Sequence, residues 1–503
     1  MSSILNKNDI HKVQDSDDLH KRIFDSMKIT KFRQESQENL EQSWLPYRRL
    51  IKYISQLTHI PSYILNNYIR TIFCLVLLGL MFPLNLLITL FTLFLSYLIN
   101  RIQRKCLLTI SNPNTKRILI SGGSTTKALQ LCRSFYRAGH QIILVDESIN
   151  WLTGHRWSNS VERFYVHPSP IKESNAYIKT LANIVRKEKI NIFIPCCNSQ
   201  IDTQLESALA AHNCSIFHLN SDHLMIIKNQ YTFIEKARSM NLTVPISFLI
   251  TSRQELLNFD FNNIDHSYIC KPAIPNNDIH HDKTIKLPRS TLTETIESIN
   301  KLSISEDCPY LLQKFISGQE YSTHLTCING EIKLFVCSLK THYKHIDRPD
   351  ILQWCTQYIQ TLKLTGHLSL NFIQNDLDGQ VYAIECHPYV NSVITSFYNH
   401  PFVANAYFEN ESTSMIVPLS STRIVYWLPN ELWHFCRNIR SMKKLMACLR
   451  MIFTGKEAIW SWNDPLPFLL HYHIHFLYLL FDNLFSKQIR FFNKIDCCMG
   501  TLA

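Results

Sequence analysis

The longest apolar run of this 503-residue chain extends from Ile72 to Ile99 and contains no charged residue. It exceeds the roughly 20 residues that cross a bilayer as a helix. Pro83 lies in its middle and would kink such a helix. The pattern predicts a membrane segment over residues 67–105, as a single tilted span or a hairpin, with a buried core helix as the alternative. Arg70 and Arg101 flank it, so the positive-inside rule leaves its orientation open.

A second apolar segment, residues 468–481, follows Asp464 and Pro465, which together form a helix-start signal. Three alternating histidines, His471, His473 and His475, interrupt it. We interpret it as a helix at the membrane interface, with a core helix as the alternative. Residues 413–503 are therefore predicted to be a helical, membrane-associated region.

Alternating strands and helices fill the sequence between these segments. Apolar strands at Arg117–Ser121 and Gln141–Asp146 enclose a glycine-containing turn and a helix that runs through Arg137. This βαβ pattern predicts a Rossmann-like domain over residues 112–220. The turn, Gly122-Gly123-Ser124-Thr125-Thr126, precedes a helix N-terminus that can bind an anion. It lacks the G-x-G-x-x-G spacing, which disfavours a nicotinamide site and an oxidoreductase.

A second α/β region is predicted over residues 221–412. It contains a helix at Tyr231–Met240, three strands and two hairpins. The strands cover 246–250, 267–272 and 309–316, and the hairpins turn at Asn329-Gly330 and at residues 375–379.

The net charge and the cysteine pattern indicate which partners and which redox environment the protein has. The formal net charge is +11, with basic clusters beside the apolar segments, which favours anionic lipid over nucleic acid. No zinc-finger or RNA-binding signature accompanies them. The sixteen cysteines form no C-x-x-C pair, which is typical of a reduced protein. We expect the soluble body on the cytoplasmic face of a membrane, without a signal peptide, after a polar N-terminus of residues 1–66.

The second hairpin carries the strongest indication of chemistry. Asn371 lies inside its first strand, and Glu385 lies near the end of its second strand, before Pro388. A carboxylate opposite a polar residue on paired strands can hold a divalent cation against nucleotide phosphates.

The strands of this hairpin contain S-L-N-F and E-C-H-P-Y, and they resemble the S-L-D-F and E-C-N-P-R strands of the ATP-grasp superfamily. The resemblance covers roughly Lys116 to Phe408. It implies an α/β ATP-grasp fold, with a Rossmann-like pre-grasp domain and a two-lobed grasp domain, after an N-terminal membrane segment. It also implies ATP and magnesium, or manganese, as cofactors.

The resemblance carries over residue by residue. It implies catalytic roles for Lys271 and Glu385. Lys271 is implied to contact the phosphates, and so is Lys228, which lies two positions from the family lysine. The metal ligands are implied to be Asn371, Glu385 and His387. The segment that would hold the nucleoside comprises Gln313, Lys314, Ile316 and Glu320, with Glu320 on the ribose.

Several stretches, including residues 151–160 and 392–407, are most similar to the mycosporine-glycine synthase-like ligases of cyanobacterial mycosporine biosynthesis. Such ligases phosphorylate a cyclohexenone hydroxyl, and glycine then displaces the phosphate. The resemblance implies a small-molecule substrate, an amine, ATP and membrane lipid as partners.

Departures from the family pattern leave two functions open. Asn371, His387 and Tyr389 replace Asp, Asn and Arg, and Gln230 replaces a lysine. The loop expected over the phosphates, Ala273–Lys286, contains no glycine. The chain is therefore either a membrane-attached ligase or a degenerate ATP-grasp protein that binds a nucleotide or a natural product without turnover.

Overall fold

The computed structural model describes residues 62–103, 115–197, 203–261, 267–274, 284–340, 342–408, 414–428, 430–431 and 441–485. The chain divides into two compact units, Met1–Val76 and Leu77–Ala503. Residues 1–61 of the predicted polar N-terminus lie outside the described residues.

The apolar run forms one helix, Ser62–Gln103, which continues through Pro83 without reversing direction. Its window Leu75–Leu98 has a mean hydropathy of 2.2 and is only 22% buried, so it is not a core helix. Large apolar side chains such as Leu80 and Leu87 are 74% and 65% exposed. By length and composition this helix could cross a membrane.

One side of this helix is polar and buried. Asn85, Thr89 and Thr92 are less than a tenth exposed, at the i, i+4 and i+7 spacing of a single helix face. The Asn85 amide lies 2.8 Å from His473 Nε2, in the C-terminal part of the chain. The helix therefore contacts the folded body through its polar face and exposes its apolar face.

The predicted Rossmann-like region contains a five-stranded parallel sheet in the order β3-β2-β1-β4-β5. Its first two strands and the helix between them confirm the βαβ prediction, because apolar strands buried on both faces suit a parallel sheet. The strands are β1 (Arg117–Ser121), β2 (Gln141–Glu147), β3 (Arg163–His167), β4 (Ile192–Ile194) and β5 (Ser215–Ile216), and the helices are Thr126–Arg137, Ser174–Glu188 and Thr203–Ala210.

The next part of the chain forms an antiparallel four-stranded sheet in the order β6-β9-β7-β8. The strands are β6 (Ser247–Ile250), β7 (Tyr268–Pro272), β8 (Ile285–Leu287) and β9 (Tyr310–Lys314), and the helices before and within it are Ser221–Lys228, Gln230–Ser239, Arg253–Leu257 and Leu292–Asn300.

A seven-stranded sheet follows, in the order β14-β13-β10-β11-β12-β15-β16. Both predicted hairpins are present, as β10–β11 and β13–β14. Two short strands at 425–426 and 456–457 extend its far edge, so the described part of residues 413–503 is not helical throughout. The strands are β10 (Gly318–Ile328), β11 (Glu331–Leu339), β12 (His342–His345), β13 (Gly366–Asn375), β14 (Val381–His387), β15 (Val425–Tyr426) and β16 (Lys456–Glu457), and the helices are Pro349–Leu362 and Met442–Thr454.

The histidine-containing segment packs inside the body. It runs as Leu466–Leu470, a π-helical turn at His471–His475, and Phe476–Phe485. The His471 ring stacks on His155 with centroids 4.8 Å apart. A side chain at Gly154 would come within 2.2 Å of the His471 backbone nitrogen, so the two segments touch closely. This packing corresponds to the core-helix alternative, although Ile474 and Phe481 remain about half exposed.

Candidate functional site

The four-stranded and seven-stranded sheets are joined by an ion pair between two of the predicted residues. Lys271 on β7 places its Nζ 2.9 Å from Glu385 Oε1 on β14. Lys271 is largely buried, and the side chain of Glu385 is 31% exposed. An ammonium and a carboxylate thus meet at the border of the two sheets.

Glu385 also contacts the other two predicted metal ligands. Asn371 Nδ2 donates a hydrogen bond to Glu385 Oε2 at 3.2 Å, and His387 Nε2 lies 3.7 Å from the same oxygen. Strand register explains the grouping, since Asn371 is directly opposite Glu385. Burial alone would raise the pKa of Glu385, but the charge of Lys271, with a smaller contribution from the nearby His387, lowers it well below its usual value. Glu385 is therefore ionised at neutral pH.

The resemblance implies a divalent cation beside Glu385. The Glu385 carboxylate fits a hard divalent cation. Asn371 turns its amide nitrogen toward Glu385, while its Oδ1 accepts a hydrogen bond from Ser322 at 2.8 Å. Among the described residues, no group of three His, Cys, Asp or Glu side chains could hold a metal by itself. The donor set fits a cation that takes a carboxylate from Glu385, with the Asn371 amide oxygen and a His387 ring nitrogen beside it, and that would take further oxygens from a ligand.

The predicted nucleoside segment links the two sheets. β9 ends at Lys314, β10 begins at Gly318, and Ile316 lies partly buried between them. The Lys314 backbone N–H donates to Ile246 O at 2.8 Å, and Gln313 is buried beside Ser247. Glu320 pairs with Lys340 at 2.7 Å. Glu320 and Ser322 are two residues apart on β10, so their side chains lie on the same face of the sheet. Asn371 lies on that face too.

Lys228 is not brought into this group by any contact that the structure describes. It ends the helix Ser221–Lys228, and burial lowers its pKa. Gln230, at the position of the family lysine, is 2% exposed. Its amide donates to Cys386 O at 2.8 Å and accepts from Cys386 N at 3.1 Å. The Gln230 side chain therefore satisfies both backbone hydrogen-bonding groups of Cys386 on β14, next to Glu385.

The glycine-containing turn is filled by the protein itself. Asp146, near the end of β2, is buried and accepts a hydrogen bond from the Ser124 backbone N–H. His155 Nδ1 contacts Gly123 O at 2.8 Å. Burial raises the pKa of Asp146 despite the hydrogen bonds from Asn150 and Ser124.

Residues 275–283 of the expected phosphate loop lie outside the described residues. At its end, Ile285–Leu287 pairs with β7 as a strand, which the sequence did not predict. Lys286 Nζ lies 3.9 Å from the centre of the Phe315 ring. The described end of the loop therefore packs on the segment between β9 and β10.

The sequence pattern did not indicate that Ser322 and Gln230 belong to the group of side chains around Glu385. Alternating polar residues along β10, at 320, 322, 324 and 326, were the available signal for Ser322. The two backbone contacts of Gln230 had no local signal, because Cys386 is 156 residues away.

No protein-family model matches the chain, and no curated protein matches it in sequence. Solved structures match part of it. N5-carboxyaminoimidazole synthetase from Staphylococcus aureus is 14% identical, with a TM-score of 0.41 over 55% of this chain and 71% of that one. L-amino acid ligase from Bacillus licheniformis is 14% identical, with a TM-score of 0.44 over 57% and 71%.

Phosphoribosylamine–glycine ligase from Thermotoga maritima is also 14% identical, with a TM-score of 0.44 over 61% of this chain and 78% of that one. Likenesses of this size do not assign the chain to a family. The fold is mixed α/β and combines one parallel sheet with two sheets of mainly antiparallel strands.

Proposed function

We propose that this chain binds ATP between the four-stranded and the seven-stranded sheet and is an ATP-grasp ligase. It would join a small substrate to an amine through a phosphorylated intermediate, as mycosporine-glycine synthase-like ligases do. The observation that carries the proposal is the ion pair of Lys271 and Glu385, with Asn371 and His387 around the same carboxylate. Lysine and carboxylate-bound magnesium are the charges that phosphoryl transfer needs around the transferred group.

The proposed roles follow from position. Lys271 would contact the phosphates, and Glu385, with Asn371 and His387, would hold magnesium or manganese against them. Gln313, Lys314 and Ile316 would border the adenine, and Glu320 would accept the ribose hydroxyls. Lys228 would be a secondary phosphate contact. The helix Ser62–Gln103 would attach the protein to lipid, with the body on the cytoplasmic side.

A degenerate, non-catalytic protein is the second candidate function. The arrangement of Gln230 and Asn371 favours it, because Gln230 is held by the β14 backbone and Asn371 brings no negative charge. Removing one transition-state charge contact typically lowers a rate by about 10²–10³. In this case the chain would bind nucleotide without consuming it.

Nucleotide binding and turnover by the full chain in detergent test both candidates. We expect ATP to bind, and magnesium-dependent ATP consumption to be slow or absent. The triple variant Asn371→Asp, His387→Asn, Tyr389→Arg should raise that consumption, whereas each single change should do little, because the ligands act as a unit. Absence of ATP binding contradicts the nucleotide site, and brisk turnover by the native sequence contradicts the degenerate candidate.

A further inference from the structure

The apolar helix is docked on the folded body along much of its length. Leu78, Asn85, Thr89 and Thr92 are 7%, 6%, 1% and 2% exposed. Their spacings of seven, four and three residues put all four side chains on one face of the helix. At roughly 1.5 Å per residue, this buried stripe extends for about 21 Å along the helix axis. The helix therefore lies against the body instead of projecting from it at one end.

Contacts near the middle and near the end of the apolar run join the helix to the C-terminal part of the chain. The Phe82 ring centre lies 5.2 Å from that of His473, and the Asn85 amide lies 2.8 Å from Nε2 of the same histidine. Further along the helix, Ser96 Oγ donates to the backbone oxygen of Trp462 at 3.4 Å. The body accordingly runs beside the helix from Phe82 to Ser96, which includes the middle of the apolar run.

The segment that contacts the middle of the helix is itself packed on the parallel-sheet domain. His471, two residues before His473, stacks on the ring of His155 with centroids 4.8 Å apart. His155 Nδ1 in turn lies 2.8 Å from the backbone oxygen of Gly123, in the turn that follows β1. A continuous set of contacts therefore leads from the middle of the helix to the first turn of the parallel sheet.

A transbilayer arrangement of this helix would carry that domain into the lipid. A helix that crosses a bilayer has its middle at the centre of the hydrocarbon. The middle of this helix is linked through the histidines to the segment 154–162, which ends in a loop with the exposed polar side chains Asn159 and Glu162. Irregular backbone of this kind does not occur in contact with hydrocarbon, because its polar groups would lose water. The docked helix is therefore incompatible with a span.

The side of the helix opposite the buried stripe is apolar and uncovered. Leu80, Leu87 and Phe94 are 74%, 65% and 57% exposed. They recur every seven residues and therefore share one face of the helix, which we call the apolar face. No charged residue occurs between Ile72 and Ile99, and the buried Asn and Thr side chains point to the other side. A continuous apolar surface of this length marks a site of interaction with a membrane or a protein.

The residues at the end of the apolar face favour lipid as its partner. Tyr97 and Trp462 are 59% and 64% exposed at this end, and aromatic residues of this type are enriched at the depth of lipid headgroups. The sequence continues with Arg101, Arg104 and Lys105, and such basic clusters attract anionic headgroups. An apolar helix face with aromatic and basic residues at its end is typical of a helix in the membrane interface.

We infer that this helix lies flat in one leaflet of an anionic membrane. Its apolar face enters the acyl chains, and the docked body stays in water on the same side of the membrane. The chain before the helix and the chain after it then face the same aqueous compartment. This inference rests on the attachment to lipid proposed above, and it excludes both a single span and a helical hairpin as the form of that attachment.

Depth-dependent fluorescence quenching tests the orientation. The full chain is reconstituted into vesicles of phosphatidylcholine and phosphatidylglycerol, with lipids brominated either near the headgroup or near the chain end. Leu80→Trp, Leu87→Trp and Phe94→Trp are compared with wild type, so that the quenching of the native tryptophans is subtracted. We expect the same depth at all three positions, with stronger quenching by the shallow bromines, because a helix in the interface enters only about 5–10 Å. A span places Leu87 about 10 Å deeper than the other two, so deep quenching of Leu87→Trp alone overturns the inference.

Leu292→Trp is the matched control, because Leu292 is 76% exposed on a helix of the four-stranded-sheet region. It should show no added quenching, and quenching equal to that of Leu87→Trp would overturn a specific role of the apolar face. Co-sedimentation with the same vesicles separates this inference from the proposed attachment. If the full chain does not bind them and forms a stable dimer without lipid, the attachment itself fails and the apolar face is an interface between copies. Binding with Leu87 deepest contradicts the flat orientation alone.

Discussion

At the scale of single residues, Lys271 and Lys228 differ in the partners they have. Lys271 reaches the Glu385 carboxylate, whereas Lys228 has no such contact among the described residues. Lys271→Ala should weaken ATP binding by about 10–100-fold, the value of a charge-assisted hydrogen bond. Lys228→Ala should change it by less than about threefold. Isothermal titration calorimetry of ATP binding to both variants measures the two effects. Equal losses of ATP affinity would show that Lys228 is a main phosphate contact.

Glu385 also predicts how stability depends on pH. Its folded-state pKa lies well below the unfolded value of about 4.3, so its contribution is complete above that value. The contribution is lost as the pH falls through the lower, folded-state pKa. Thermal midpoints between about pH 5 and 3 should fall less steeply in Glu385→Gln than in wild type. The exposed Glu297→Gln serves as the control, and parallel curves for wild type and Glu385→Gln would contradict the prediction.

At the scale of elements, Gly318 determines how closely β10 approaches β13. A Cβ at this position would lie 1.8 Å from the Gln374 backbone oxygen. Gly318→Ala should therefore push the strands apart and lower the free energy of unfolding by about 1–3 kcal/mol. It should also weaken nucleotide binding, since Glu320 follows two residues later.

Gly379→Asn provides the matched control in the hairpin turn. The φ of Gly379 is +69°, a conformation that asparagine tolerates, and a Cβ added there would meet no atom within 4 Å. The free energy of unfolding of this variant should stay within about 0.5 kcal/mol of wild type. Chemical denaturation measures both variants, and an equal loss in both would exclude the close strand approach as the cause.

Elements with a local pattern could be predicted from the sequence, and groupings between distant segments could not. Asn371 and Glu385 lie on one hairpin, so their contact follows from strand register alone. Gln230 and Cys386 are 156 residues apart, and only the tertiary fold brings them together. The segment 468–481 was ambiguous for a physical reason, because hydropathy does not distinguish a protein interior from a lipid interface.

At the scale of the whole molecule, the helix Ser62–Gln103 predicts where the protein resides. Its large apolar side chains are exposed over Leu75–Leu98. The full chain should sediment with membranes, and deletion of residues 1–111 should move most of it to the soluble fraction. Leu87→Arg should weaken sedimentation in the full chain, since a charge in the hydrocarbon costs about 2.5–3.5 kcal/mol. Full-length protein that stays soluble in membrane fractionation would contradict this prediction.

The contact between Asn85 and His473 has a consequence for the order of events during synthesis. The two residues are 388 positions apart. At about 5–20 residues per second, the ribosome needs roughly 20–80 seconds to add His473 after Asn85 has been made. Throughout that interval the apolar helix exists without its docking partner. Until the last hundred residues are translated, the polar face that carries Asn85, Thr89 and Thr92 must therefore be satisfied by water or by other polar groups.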